Sequence, residues 1–306
     1  MTAAISTICC PLGAWGVLWA DAAGERGSPV LLLHGIGSAA ASFARQLGEL
    51  GDRHRVVAWD APGYGRSDDP TPPFRMDDFA DAAAAVLTGP GLGPAHVVGA
   101  SWGGVIATRL AVRHPALVRS LVLVDSTRGS GRTEEGAAAM LARSEELATA
   151  GAVEFARVRA PRLLSAQAPT AMVAAVRELM ATSIRLPGYA QAAASMAETD
   201  HTEALSSLRV PTLVLVGEHD RVTGVEESRH LHRLVPDSRF AVIPGAGHLA
   251  HQEQPDLFNA LLSDFLAEQD GQDAQRPGHH PRQTSDPAPA GQVPSQHDLE
   301  DAWTWD

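Results

Sequence analysis

The chain has 306 residues, 44% of them hydrophobic, with 36 acidic against 24 basic side chains and a formal net charge of −12. That balance argues against nonspecific nucleic-acid binding and against an anionic membrane surface, because both would repel an acidic protein. Its two cysteines, Cys9 and Cys10, are adjacent, so neither an ordinary disulfide framework nor a C-x-x-C metal or redox pattern is present.

The N-terminus lacks a basic region ahead of an apolar run, and no apolar stretch approaches the ~18 residues of a membrane span. A cytoplasmic protein without membrane association is therefore the expectation. In chain order, Trp15-Gly16-Val17-Leu18-Trp19 reads as an opening strand, and residues 30–33 as a buried strand entering the loop His34-Gly35-Ile36-Gly37. Residues 55–59 predict another strand, followed by Asp60-Ala61-Pro62-Gly63-Tyr64-Gly65-Arg66-Ser67. These glycines do not complete a G-x-G-x-x-G phosphate loop, because Asp68 stands at the last glycine position and would repel a pyrophosphate. A tight turn is the expected role.

Residues 95–98 read as a short buried strand and residues 105–112 as a helix that ends before His114-Pro115. Between them lies Gly99-Ala100-Ser101-Trp102-Gly103, a G-x-S-x-G pattern in a strand-to-helix turn. Such a turn strains its central residue, and Gly99, Ala100, Gly103 and Gly104 leave room for it. The turn lifts the Ser101 hydroxyl out of the sheet beside a helix N-terminus, whose dipole favours developing negative charge. Ser101 is accordingly the candidate nucleophile.

A further strand over residues 120–124 ends at Asp125. Strand patterns then stop, and helical patterns cover residues 134–150, 153–159, 169–182 and 189–197. The expectation is a helical cap over the carboxyl edge of the sheet, where open α/β sheets bind ligands. Met140, Leu163, Leu164, Met172, Met180 and Met196 are candidates to line a cavity there, or to pack the cap internally. Strands resume at residues 210–216, leading to Asp220, and at residues 240–243, leading to His248. From residue 269 to 306, Pro, Gln, Asp, Ser and His replace apolar periodicity, and a disordered tail is expected.

A serine hydroxyl is a weak nucleophile until a base takes its proton and an acid orients that base. His248 and Asp220 both follow strand ends, so they reach the edge where Ser101 sits. The order Ser101, Asp220, His248 resembles the α/β-hydrolase superfamily. The likeness covers roughly residues 13 to 267, including the 34–37 loop, the 60–67 turn, the elbow at Ser101 and Gly247-His248.

The resemblance implies an α/β-hydrolase fold with a mostly parallel sheet flanked by helices. It divides the chain into a core of residues 1–126 and 200–268, a cap of 127–199 and a tail of 269–306. It implies that Ser101 attacks a carbonyl, His248 moves the proton and Asp220 holds the imidazole, with Asp125 as the alternative acid. The backbone N–H groups of Ile36 and Trp102 would form the oxyanion hole, His34 would brace its loop, and no metal or cofactor is required.

Serine at position 101 sets the chain apart from branches with aspartate at the elbow, and the 34–38 loop is unlike that of the proline iminopeptidases. The pattern is most similar to bacterial esterases and 3-oxoadipate enol-lactonase-like members, implying a small-molecule ester or lactone as substrate. C–C bond hydrolysis, cofactor-free oxygenation and a hydrolase-like ligand receptor remain open alternatives on the same fold.

Overall fold

A computed structural model describes residues 3–11, 16–89 and 91–275. It opens with β1 (Ile5–Pro11) and β2 (Val17–Ala23), an antiparallel hairpin pairing Ile5 with Ala23 and Pro11 with Val17. There follow β3 (Pro29–Leu33), α1 (Ala44–Leu50), β4 (Arg55–Trp59), α2 (Met76–Thr88), β5 (Ala95–Ala100), α3 (Trp102–Arg113) and β6 (Val118–Val124). An all-helical insertion comes next: α4 (Glu134–Arg159), α5 (Thr170–Ser183), α6 (Leu186–Ala197) and α7 (Thr202–Ser207). The chain returns to the sheet with β7 (Thr212–Gly217), α8 (Gly224–Leu234), β8 (Arg239–Ile243), α9 (Ala250–Glu253) and α10 (Pro255–Gln275).

The strands form one sheet in the order β1-β2-β4-β3-β5-β6-β7-β8. Pairing is antiparallel for β1 with β2 and for β2 with β4, and parallel from β4 through β8. The central strands are apolar without alternation because helices cover both faces. Along β3, Leu31 and Leu33 pack into the cluster holding Phe79 and Ile106, while Val30 and Leu32 pack into the one holding Phe43 and Phe258. Each fully buried leucine contributes roughly 1.5–3 kcal/mol relative to exposure. No helix among the described residues is long and apolar enough to cross a membrane.

Three details differ from expectation. The opening strand runs from Val17 to Ala23 rather than over 15–19, Trp15 lies outside the described residues, and β1 precedes it. Strand β1 is an edge strand with Ile5 about half exposed, so its pattern carries no strong apolar signal. Helix α4 joins two expected helices across Gly151, whose φ of 74° and ψ of 162° kink it between the two patterns.

The third difference is a correction at residue 269, the expected start of the tail. Helix α10 continues to Gln275, Gln269 is buried, and Asp270 is held by three distant residues. Ser28 Oγ donates to Asp270 Oδ2 at 2.7 Å, Arg119 Nη2 donates to Oδ1 at 2.9 Å, and His96 Nε2 lies 3.3 Å from Oδ1. Phe258, Leu262, Phe265 and Leu266 pack the helix into the core, and these polar partners hold it beyond that apolar face. Residues 276–306, which hold the rest of the expected tail, lie outside the described residues.

The turn after β4 is a tight structural turn. Arg66 Nε donates to Asp60 Oδ2 at 2.6 Å and its Nη1 to Asp21 Oδ1 at 2.7 Å. The turn also carries the insertion: Tyr64 and Ile184 form a β-bridge, and Arg185 Nη1 donates to the Gly65 carbonyl at 2.7 Å.

Candidate active site

Ser101 sits between β5 and α3 at φ 52° and ψ −116°. A non-glycine residue so placed costs on the order of 1–3 kcal/mol, and its surroundings must over-determine it. Its N–H donates to the Val124 carbonyl at 2.8 Å, and Ser126 Oγ donates to its carbonyl at 2.8 Å. A β-carbon at Gly103 would overlap the Leu33 and His34 carbonyls, so only glycine lets α3 start this close to β3. At Gly35 a β-carbon would fall 3.2 Å from Ser101 Cβ, which explains how the 34–37 loop closes over the serine.

His34 holds that loop in place. The ring is fully buried, its Nδ1–H donates to the Gly35 carbonyl at 2.9 Å, and its Nε2 accepts from the Ala61 N–H at 3.0 Å. Burial, the largest influence, lowers its pKa and keeps the ring neutral, as this donor-acceptor pattern requires. With both ring nitrogens committed, His34 ties the loop to the turn after β4.

His248 enters on the turn after β8, where Gly247 N–H donates to Glu253 Oε1 at 2.7 Å. Its Nε2 lies 3.0 Å from Ser101 Oγ, and its Nδ1 lies 3.1 and 3.0 Å from the two carboxylate oxygens of Asp220. With Nδ1–H donating to Asp220, Nε2 is free to accept the Ser101 proton. Burial works against ionisation of both partners. In Asp220 it is outweighed by the His248 contact, the Thr223 hydroxyl at 2.6 Å and the Val222 N–H at 2.7 Å, which bring the carboxyl down to about 2. In His248 it is outweighed by the hydrogen bond and charge of Asp220, so the imidazole rises above its ordinary value.

Asp125 is also buried, at φ 47° just past β6, but points elsewhere. Its Oδ1 accepts from the Gly217 N–H at 2.7 Å and its Oδ2 from the Ala250 N–H at 3.1 Å. Burial pushes its carboxyl up to about 8, and the neighbouring Asp220 charge adds to the rise. Thus the structure brings Ser101, His248 and Asp220 into one chain of contacts and leaves Asp125 beside it, satisfying loop amides.

Above the serine lies a cavity of about 540 Å³. Ile36 and Ser101 both line it, and Trp102 follows Ser101 as the first residue of α3. The Trp102 ring is buried away from solvent against Phe79, and its Nε1–H donates to Ser195 Oγ at 3.2 Å.

Of the six apolar candidates, Leu163, Leu164 and Met180 line the cavity, whereas Met140 and Met196 are buried in the main core and Met172 packs beside Val176. Sequence reasoning missed Arg143, Phe155, Arg159, Tyr189 and Val176 in the wall. They lie on α4, α5 and α6, and no local motif marks which helix face meets the sheet. His251, also in the wall, is held neutral by burial, with a pKa near 3.

Residues 28–255 match the family model for the α/β hydrolase fold. The chain belongs to this family. Among α/β-hydrolase relatives, it is 30% identical to the 2-(acetamidomethylene)succinate hydrolase of Mesorhizobium japonicum, covering 79% of this chain and 90% of that protein. It is 29% identical to the 2-hydroxymuconate semialdehyde hydrolase of Pseudomonas sp. strain CF600, covering 80% and 88% of the two chains. A malate-bound structure of a thermophilic esterase from Thermogutta terrifontis superposes with a TM-score of 0.78 at 29% identity, covering 86% of this chain and 98% of that one. These relationships make the chain a hydrolase of this fold.

Proposed function

We propose that this α/β-hydrolase cleaves a carboxylic ester or lactone through an acyl-enzyme on Ser101. The observation that carries the reading is the line Ser101 Oγ, His248 Nε2, His248 Nδ1, Asp220, with contacts of 3.0 to 3.1 Å, beneath a cavity. His248 takes the hydroxyl proton as Ser101 attacks the carbonyl, Asp220 stabilises the imidazolium, and the proton passes to the leaving alkoxide. Water then enters by the same route and releases the acid. The amides of Ile36 and Trp102 receive the oxyanion, where the N-terminal end of α3 adds roughly half a positive charge. The esterase likeness supports the choice of bond.

A second reading is C–C bond hydrolysis, favoured by the likeness to the 2-hydroxymuconate semialdehyde hydrolase. A panel of esters, lactones and dienone-type carbon acids separates the two by product analysis. Turnover of esters or lactones is expected, with Ser101→Ala reducing it by about 10³-fold or more. Near-normal turnover by pure, folded Ser101→Ala protein would overturn the assignment.

A further inference from the structure

The phenol of Tyr64, in the turn after β4, is fully buried, and among the described residues its hydroxyl has no hydrogen-bond partner. A buried hydroxyl left unpaired costs free energy, and phenylalanine would fill the same space without that cost. The ring sits where three parts of the site meet. Its centroid is 5.3 Å from the His34 ring, at the start of the 34–37 loop, and 5.4 Å from the ring of Trp102, the residue after the nucleophile. Its backbone bridges Ile184 of the insertion, and the next residue, Gly65, donates its N–H to the Ser183 carbonyl at 2.9 Å. These contacts hold the phenol in one place.

Two groups lie close to the hydroxyl. Burial, then the neighbouring Tyr189 hydroxyl, raise the Tyr64 pKa well above its ordinary value, whereas the Gly37 backbone lowers it. An N–H aimed at the phenol oxygen favours the anion in this way, so the Gly37 amide faces Tyr64 while falling short of hydrogen-bond geometry. Tyr189 is engaged elsewhere, its hydroxyl lying against the Arg143 guanidinium of α4. Gly37 is buried at φ 86°, and a β-carbon there would lie 3.4 Å from Met180 Cε of α5. The N–H groups of Ile36 and Gly37 belong to successive peptide units, so a shift that brings the second onto Tyr64 re-aims the first.

Resting on the hydrolase reading above, we infer that Tyr64 is a positioning residue for the oxyanion hole: its hydroxyl accepts the Gly37 N–H when the Ile36 N–H closes on the tetrahedral intermediate. The bond is unmade in the free protein and made on the oxyanion, so its free energy lowers the barrier rather than tightening substrate binding. Tyr64 does not line the cavity and acts through the loop.

Tyr64→Phe deletes the hydroxyl alone. With p-nitrophenyl butyrate, kcat is expected to fall about tenfold while KM stays within about twofold. Methyl pentyl ketone binds as a ground-state carbonyl, whereas trifluoromethyl pentyl ketone binds as a hemiketal oxyanion on Ser101. The variant should lose about tenfold in affinity for the second and nothing for the first. Its urea midpoint should be no lower than that of the wild type, because the hydroxyl had no partner to lose. A purely structural role predicts the reverse, a lower midpoint with kcat unchanged.

Unchanged kcat with unchanged trifluoromethyl ketone affinity overturns the inference, whatever the midpoint does. Equal losses for the two ketones overturn it too, because they show damage to the cavity rather than to the oxyanion hole. In wild-type protein, hydrogen exchange of the Gly37 amide should slow once Ser101 is phosphonylated, and unchanged exchange overturns the inference without any variant. Wild-type protein that neither cleaves the ester nor binds the trifluoromethyl ketone would overturn the hydrolase reading, and this inference with it.

Discussion

Asp220 faces the His248 imidazole with both carboxylate oxygens, whereas Asp125, just past the neighbouring strand end, turns its own to the amides of Gly217 and Ala250. Burial pushes the Asp125 carboxyl up to about 8, while His248, Thr223 and Val222 outweigh burial at Asp220 and hold it near 2. Two acids in one pocket of backbone thus carry different burdens, one on the imidazole and one on the loops around it.

Replacing each acid should separate these burdens. Asp220→Asn is expected to lower kcat by about 10²–10⁴-fold in a folded protein, because the imidazole loses the partner that fixes its tautomer. Asp125→Ala should instead lower unfolding stability by about 2–4 kcal/mol, since it leaves two buried N–H donors unpaired. Steady-state kinetics beside urea denaturation checks both. A severe kcat loss confined to the Asp125 variant would assign the acid to Asp125.

The pH dependence follows from the imidazole. Burial alone would lower the His248 pKa, but the hydrogen bond and charge of Asp220 hold it above 6.5. A base must be neutral, so kcat/KM should fall about tenfold per pH unit below that raised pKa and level off above it. In Asp220→Asn the inflection should move down. For stability, the His248 contribution is full below 6.5 and fades as pH rises through the folded pKa. The Asp220 contribution is full above 3.8 and fades as pH falls toward about 2. Together they support the fold most between those limits, which pH-scanned unfolding can measure.

Trp102 links the elbow to the insertion. It is fully buried, 4.8 Å from the Phe79 ring centroid, and Ser195 is the partner of its indole N–H. Ser195→Ala should cost about 1–3 kcal/mol through the orphaned donor, and Trp102→Ala about 3–5 kcal/mol through the cavity left behind. Thermal unfolding of the two variants gives the ranking, and equal losses would show that the ring packing is unimportant.

At the opposite end of β5 from Ser101, Asp270 binds Ser28 and Arg119 and meets His96. Burial would raise its carboxyl, but these contacts lower it from 3.8 to about 2, so its stabilisation is present above pH 3.8 and lost as pH falls toward 2. With the side chain 32% exposed, solvent screens part of the gain, and Asp270→Ala should cost about 1–2 kcal/mol. Ester turnover at neutral pH should be unchanged. An unaltered melting temperature at pH 6 would contradict this account.

The sheet and the Ser101, Asp220, His248 line were legible because each lies where a strong apolar run breaks into a turn, a signal carried by a few adjacent residues. Asp125 ends such a run too, and only spatial packing separates it from Asp220. Arg143 was not legible, because its place depends on α4 meeting α6 at Tyr189 rather than on anything beside it in the chain. Asp270 looked like the start of a polar tail for the same reason, since its partners Ser28, His96 and Arg119 lie more than 150 residues away. Strand β1 was missed because a half-exposed edge needs little apolar sequence.

Labelling with a fluorophosphonate, followed by peptide mass spectrometry and residual ester turnover on the same sample, tests the central claim most directly. The account predicts one adduct per chain, on the peptide containing Ser101, with turnover lost in proportion to labelling and no adduct in Ser101→Ala. Labelling on another residue, or full turnover in protein quantitatively modified at Ser101, would contradict it.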